Sequence, residues 1–349
     1  MITEKKRLVE QDPKLKKDDL IVIAGGGGFI GGALARYFRK KGFTRIRAAD
    51  KKPLPEWYQR VPGVECLHLD LSYEDNCTRL CEDAVEVYNL AADMGGMGFI
   101  ERFRVECLRS ELINTHMIEA AYRAGARRYF FSSSACAYNT DLQQDPNVRA
   151  LKESDAYPAM AERGYGWEKL ISEMFCEEYW AERGMKTAIA RFHNVYGPWG
   201  TWDGGREKAP AAICRKVIAA VDGGKHTINI WGDGTVTRSF MYIDDCVKGI
   251  DMIMHSDKLI ATPINLGTSE LVTINELVSK VEKIAGVRLK REYDPTQPRG
   301  VAGRNSDNTF IKKMLHWEPD TPLDVGLRAT YKWIKTQYLA KKAGKRVVD

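Results

Sequence analysis

Leu20-Ile21-Val22-Ile23-Ala24-Gly25-Gly26-Gly27-Gly28-Phe29-Ile30-Gly31 is the stretch that decides the fold. The apolar run predicts a buried strand, the glycines a tight turn, and Phe29 to Lys41 carries helical apolar spacing that ends at Gly42. Gly25, Gly28 and Gly31 form a Gly-x-x-Gly-x-x-Gly pattern between that strand and that helix, the context in which the pattern marks a dinucleotide site. Glycine lets the turn close and lets a pyrophosphate approach backbone N–H groups at the helix N-terminus, where the dipole favours anions. Gly25, Gly28, Phe29, Ile30 and Gly31 are therefore expected cofactor contacts.

Working outward, Asp50 closes the second strand about 25 residues downstream, where a ribose-binding acid belongs. Its carboxylate would repel a 2′-phosphate, which favours NAD over NADP; Lys51 and Lys52 pull the other way, because a nearby cation could accept that phosphate. Asp70, followed by Leu71, either reaches adenine or caps the next helix. Strands at Arg45 to Ala49, near Val85 to Leu90, at Arg128 to Ser132 and at Thr187 to Phe192 alternate with helices over about Phe103 to Ala124 and Glu162 to Arg183. Six strands fit the first 192 residues, and their alternation with helices predicts an α/β fold with a Rossmann-type, doubly wound parallel sheet.

After Phe192 the chain turns Gly-, Pro- and Trp-rich, as in Tyr196-Gly197-Pro198-Trp199-Gly200, which predicts a smaller α+β substrate lobe. A helix at Asp244 to His255 and a strand at Pro263 to Leu266 are expected to return to the main sheet, so the lobes interleave. The expected division is 19–192 plus about 240–268 for the cofactor domain, about 193–239 plus 269–338 for the substrate domain, and charged extensions at 1–18 and 339–349.

The bulk numbers narrow the class. With 349 residues and 44% hydrophobic content the chain can bury a large core. No apolar run approaches the roughly 20 residues of a membrane span, and the charged start is unlike a signal peptide, which predicts a cytoplasmic chain with no membrane partner. The eight cysteines contain no Cys-x-x-Cys pair, so neither zinc nor a disulfide framework is encoded. Of the net charge of +6, residues 1–17 carry +3 and residues 332–349 carry +5. A frayed, solvated terminus explains such tails more simply than nucleic acid or anionic lipid.

The chemistry is expected at Ser134, Cys136, Tyr165 and Lys169. A Tyr four residues before a Lys shares its helix face, and the ammonium would favour ionisation of a phenol whose ordinary pKa is about 10. A phenolate could then take an alcohol proton. Cys136 ends the Ser133-Ser134-Ala135-Cys136 segment as an additional acid/base, or else is a buried small hydrophobe. His193 is read as a hydrogen-bonded core histidine or a proton carrier, and Met94 and Met97 as pocket lining or packing.

These elements, with Asn89-Leu90-Ala91-Ala92 and Arg191-Phe192-x-Asn194-x-Tyr196-Gly197-Pro198, resemble the extended short-chain dehydrogenase/reductase family of NAD-dependent nucleotide-sugar enzymes over about residues 19–335. Longer strings are similar to the branch of that family that epimerises GDP-mannose at carbons 3 and 5: Ala91 to Ile100, Gly204 to Ala212 and Gly303 to Asn308. The resemblance implies NAD contacts from Asp50, Asp70, Tyr165 and Lys169. It implies sugar-pocket roles for Gly95, Met97, Ser134, Cys136, Asn194, Glu207, Lys208 and Ala209, and diphosphate contacts from Lys216, Thr237, Arg238 and Arg304. It also implies a homodimer, and a second acid/base at Lys208 paired with Cys136. The expected activity interconverts GDP-mannose with GDP-L-galactose or GDP-L-gulose through a 4-keto sugar; the competing readings are a 4-epimerase of the same family and an NAD-sensing binding protein.

Overall fold

Six strands occupy the first part of the chain: β1 (Ile21–Ala24), β2 (Ile46–Asp50), β3 (Glu65–His68), β4 (Glu86–Asn89), β5 (Arg128–Ser134) and β6 (Lys186–Phe192). Beyond them lie β7 (Asn194–Tyr196), β8 (Thr227–Trp231), β9 (Thr237–Tyr242), β10 (Pro263–Leu266), β11 (Leu271–Thr273), β12 (Lys290–Asp294) and β13 (Gly303–Arg304). This computed structural model describes residues 9–298 and 300–345. Seven of the strands form one parallel sheet in the order β10-β6-β5-β4-β1-β2-β3. The chain winds outward in both directions from β1, so a crevice opens at the carboxyl ends of β1 and β4, the switch point where doubly wound sheets take ligands.

The helices are α1 (Phe29–Lys40), α2 (Glu74–Cys81), α3 (Met97–Arg102), α4 (Arg104–Leu108), α5 (Ser110–Arg123), α6 (Tyr165–Arg183), α7 (Ala209–Asp222), α8 (Ile243–Met254), α9 (Ile274–Ala285), α10 (Thr309–Leu315) and α11 (Leu323–Lys342). Strand alternation sorts the core into two layers. Ile21, Ile23 and Phe130 face Leu34 and Phe38 of α1, Ile250 of α8 and Ile311 of α10. Val22, Val87, Tyr129 and Phe131 face Leu80 of α2, Met117 of α5 and Cys176 of α6, with Cys77 and Cys81 buried together on α2. Each such side chain contributes on the order of 1.5–3 kcal/mol by leaving water. A third core joins α7, α9 and α11 through Val217, Leu277 and Leu327. The chain thus leaves the large sheet after β6, returns for α8 and β10, leaves again, and returns once more for α10, which the sequence reading had assigned wholly to the smaller lobe.

Three further features differ from expectation. The helix predicted from about Phe103 to Ala124 is broken at Arg109 into α4 and α5, and the unpredicted α3 precedes it, with Phe103 between α3 and α4 stacking on Phe99 at 4.9 Å. The helix predicted from Glu162 begins at Tyr165, because Gly164 takes a left-handed φ of +87°. The described part of the N-terminal extension is tied down rather than frayed: Asp12 accepts from Arg128 Nε at 2.6 Å and Lys186 Nζ at 3.0 Å, and Arg127 donates to Pro13 and Asp19. At the other end, Lys342 pairs with Asp222 at 2.7 Å while still inside α11. The remaining extension residues, 1–8 and 346–349, lie outside the described residues.

A buried ion pair fastens α6 to the sheet. Arg191 of β6 and Glu173 of α6, each 2% exposed, meet through two parallel bonds of 2.9 and 2.7 Å. The Ser133 hydroxyl donates to the same carboxylate, so β5, β6 and α6 are joined just below Ser134. Removing one member leaves the other charge buried and unpaired, at a cost of about 3–5 kcal/mol. Glu173→Gln is therefore expected to lower the free energy of urea unfolding by that amount; a loss below about 1 kcal/mol would show that the pair does not hold the helix.

Candidate active site

The glycine turn is built by close backbone contacts. Gly25, at φ +80°, and Gly26 both donate their N–H groups to the Ala49 carbonyl, at 2.8 and 2.9 Å, and Gly28 donates to Gly25 at 3.0 Å. A Cβ on Gly31 would stand 2.2 Å from the Gly25 oxygen, so α1 can start there only with glycine. Gly28 is the N-cap of α1 and no side chain caps the helix, which leaves the N–H groups of Phe29, Ile30 and Gly31 directed at the crevice. Asp50, Asp70 and Leu71 line the same crevice with Gly25, Gly28, Tyr165 and Lys169.

Two observations fit these residues to NAD. The uncapped helix end suits a pyrophosphate. Among the described residues, Lys169 Nζ, buried at the crevice floor, makes no hydrogen bond and has Glu168 as its ion-pair partner at 3.3 Å, so its N–H groups suit ribose hydroxyls. Asp70 accepts the Ser72 N–H at 2.9 Å and its hydroxyl at 2.7 Å, so it organises the turn before α2 while lining the crevice. Lys51 pairs with Asp93, and Arg206 reaches the other oxygen of that carboxylate at 3.1 Å. Of the two lysines that follow Asp50, Lys51 is thus engaged across the crevice.

A second cavity adjoins the first, sharing Met94, Ser134, Tyr165, Phe192 and Lys208 with it. Ser134 ends β5 and its hydroxyl accepts the Cys136 N–H at 3.2 Å, turning the strand into a single 3-10 turn, Ala135–Ala137. Lys169 Nζ lies 5.3 Å from the Tyr165 ring. Burial, followed by the charges of Cys136 and Glu168, pushes the Tyr165 phenol well up, with a Ser134 hydrogen bond opposing. Desolvation thus opposes the ionisation that the neighbouring ammonium was expected to favour. Burial also raises the Cys136 thiol, reinforced by Glu162 and opposed by Arg304, Ser134 and Lys208. Lys208 is lowered, by burial first, against the raising influence of Cys136. Burial thus moves the thiol up and the amine down.

Gly95, Met97, Asn194, Glu207, Ala209, Lys216, Arg238 and Arg304 line this second cavity with Cys136 and Lys208. Several have protein partners that narrow what they can do. Asn194 donates to the Ser239 carbonyl at 3.2 Å, Lys216 to that of Asn229 at 2.9 Å, and Arg238 to those of Thr237 and Val301 at 2.7 and 2.6 Å. Glu207 pairs with Arg215 at 2.7 Å. Thr237 departs from expectation: it is buried outside the cavity and its hydroxyl donates to the Pro146 carbonyl, so it cannot face a diphosphate. Arg304 lines the cavity while its three nitrogens donate to Gln143, Cys136 Sγ and the Glu162 carboxylate. His193 is the core histidine of the two readings: it bonds Asn265 at 2.9 Å, and burial lowers it to about 4.

Glu162, Gln143, Asp93 and Arg206 were missed by the sequence reading. Each acts on a partner distant in the chain, and no local spacing marks it. Among the described residues no cluster of His, Cys, Asp and Glu could hold a metal, and no helix is long and apolar enough to cross a membrane. A Cβ on Gly28 would meet only the Gly25 oxygen at 3.0 Å and Asp50 Oδ2 at 4.0 Å, and its φ of −82° admits any residue. Gly28→Val is therefore expected to keep the fold, read as an unchanged melting midpoint without added cofactor, and to elute from gel filtration without NAD; full NAD occupancy would contradict this placement of the cofactor.

Residues 21–267 match the NAD dependent epimerase/dehydratase family. The chain is 44% identical over 315 residues to GDP-mannose 3,5-epimerase 1 of Oryza sativa subsp. indica, covering 90% of this chain and 81% of that one. It is 44% identical over 316 residues to GDP-mannose 3,5-epimerase of Arabidopsis thaliana, covering 90% and 82%. Its fold matches the UDP-glucose 4-epimerase of Thermotoga maritima, solved with UDP-glucose, at a TM-score of 0.80 and 23% identity, covering 91% of this chain and 99% of that one. With a dinucleotide crevice, a Tyr-Lys pair at its floor and these relatives, the chain belongs to the NAD-dependent epimerase/dehydratase family of the extended short-chain dehydrogenase/reductases.

Proposed function

We propose that this enzyme epimerises GDP-mannose at carbons 3 and 5 through a transient 4-keto sugar, giving GDP-L-galactose, GDP-L-gulose or both. The observation that carries the reading is the convergence of Cys136 and Lys208 on the cavity that also holds Ser134 and Tyr165. The 44% identity to GDP-mannose 3,5-epimerases supports the same substrate.

Bound NAD supplies reversible hydride transfer at sugar carbon 4. Ser134 orients the 4-oxygen, Tyr165 takes its proton, and Lys169 holds the ribose and the phenol in register. A ketone at carbon 4 makes the C–H bonds at carbons 3 and 5 acidic. Inversion requires a proton to leave one face and another to arrive on the opposite face, so two groups are needed. Once the thiol has passed its proton to the Lys208 amine, Cys136 as thiolate removes a carbon proton from one face and Lys208 as ammonium returns one from the other; thiol and amine then re-exchange protons, with solvent as the pool, before the second carbon. Tyr165 gives its proton back as carbon 4 is reduced. The residue set opposes the alternatives. A 4-epimerase needs neither the thiol nor the amine, a dehydratase would want an Asp-Glu pair where Ala135-Cys136 stands, and an inert sensor would not need Ser134, Tyr165 and Lys169 together.

We also propose a cytoplasmic homodimer formed through α4, α5 and α6. Val105 at 69% exposure, with Leu108, Leu112, Trp167, Ile171 and Met174, leaves large apolar side chains in water on these neighbouring helices. Two such faces would cover one another.

Incubation with GDP-mannose in D₂O is expected to place deuterium at carbons 3 and 5 of the product; a product unlabelled at both carbons would reject the reading. Cys136→Ser and Lys208→Ala should each lower that exchange by about 10²–10⁴-fold while retaining NAD. Ile171→Glu is expected to give a monomer by light scattering, and an unchanged dimer would remove this interface.

A further inference from the structure

Cys136 is gripped from two directions by one residue. The Glu162 N–H donates to the Cys136 carbonyl at 3.0 Å, and the Glu162 carboxylate pairs with Arg304 Nη2. Arg304 in turn donates from Nη1 to the Cys136 sulfur at 3.3 Å, and from Nε to Gln143 at 2.6 Å. The guanidinium cannot rotate away without breaking two other bonds, and a planar fork is needed to serve all three partners. Both side chains are nearly sealed from water, at 6% exposure for Arg304 and 10% for Glu162.

The remaining titratable groups around the sulfur are Tyr165 of α6, Cys107 of α4, Lys208 at the start of α7 and Arg238 of β9, with the Ser134 hydroxyl beside them. Against that background an unopposed guanidinium in contact with the sulfur would stabilise a thiolate, by about one to three pH units for a charge at this range. A standing thiolate would invite oxidation and alkylation. The carboxylate bonded to the same guanidinium removes most of that field while leaving the hydrogen bond in place.

We propose that Glu162 is a positioning residue that holds Arg304 on the Cys136 sulfur and offsets its charge, so that the resting sulfur is a thiol with a fixed donor beside it. The catalytic meaning of this arrangement rests on the acid/base role given to Cys136 above. Burial and Glu162 raise this thiol while Arg304 lowers it, in the direction the arrangement requires.

The test is the pH dependence of iodoacetamide labelling of substrate-free, NAD-loaded enzyme, read by mass spectrometry of the Cys136 peptide so that the other seven cysteines do not contribute. Glu162→Gln keeps an oxygen acceptor for Arg304 and loses the charge. Its labelling midpoint is expected to fall by about one pH unit, with several-fold faster labelling at pH 7. Arg304→Met should move the midpoint up, and Glu162→Asp, which retains the charge, should stay near the parent enzyme. A midpoint for Glu162→Gln that is unmoved or raised overturns the proposal, as does a Glu162→Asp midpoint that falls with it; near-ultraviolet circular dichroism and NAD content show that each variant is folded. Loss of deuterium exchange in the parent enzyme would reject the role of Cys136 without touching these midpoints, whereas unmoved midpoints with exchange intact reject Glu162 alone.

Discussion

Backbone contact between the end of β5 and the first turn of α6 is the constraint on which the site depends. A Cβ at Gly166 would lie 2.2 Å from the Cys136 carbonyl oxygen, so the helix can sit this close only with glycine at that position. The contact sets Tyr165, one residue earlier, beside Ser134 and Cys136. Further along the same helix the Glu173–Arg191 pair holds α6 to β6 and, through Ser133, to β5. Ser134, Cys136 and Tyr165 thus share one cavity because two pieces of backbone touch.

Desolvation then sets the resting charges. The phenol and the thiol are raised and the amine lowered, all with burial as the largest cause. Few uncompensated charges are left in the site, which suits a cavity that must take in a diphosphate and hold a reactive ketone. Arg304 keeps its charge there, and the Glu162 carboxylate offsets it.

Local pattern made much of this legible. The strand, glycine turn and helix of residues 20–40, the parallel sheet, and the return of Pro263 to Leu266 to that sheet follow from periodicity and from glycine chemistry. Tyr165 and Lys169 could be placed on one face from their spacing alone. What stayed hidden depends on partners far apart in the chain. Arg304 reaches Cys136 across 168 positions and Glu162 across 142, and nothing near either residue announces it. The same holds for Asp12 on Arg128, and for Thr237, whose hydroxyl is used by the Pro146 carbonyl instead of pointing into the cavity. The late start of α6 was missed because apolar spacing continues through Gly164, where only the left-handed backbone breaks the helix.

The central claim is that carbon 4 lends its hydrogen and takes the same one back while its neighbours exchange theirs. It is tested most directly with GDP-mannose carrying deuterium at carbon 4, turned over in ordinary water and followed by NMR of the epimerised products. The account expects the label to remain at carbon 4 through many turnovers. Epimerised product that has lost it to solvent would contradict the account.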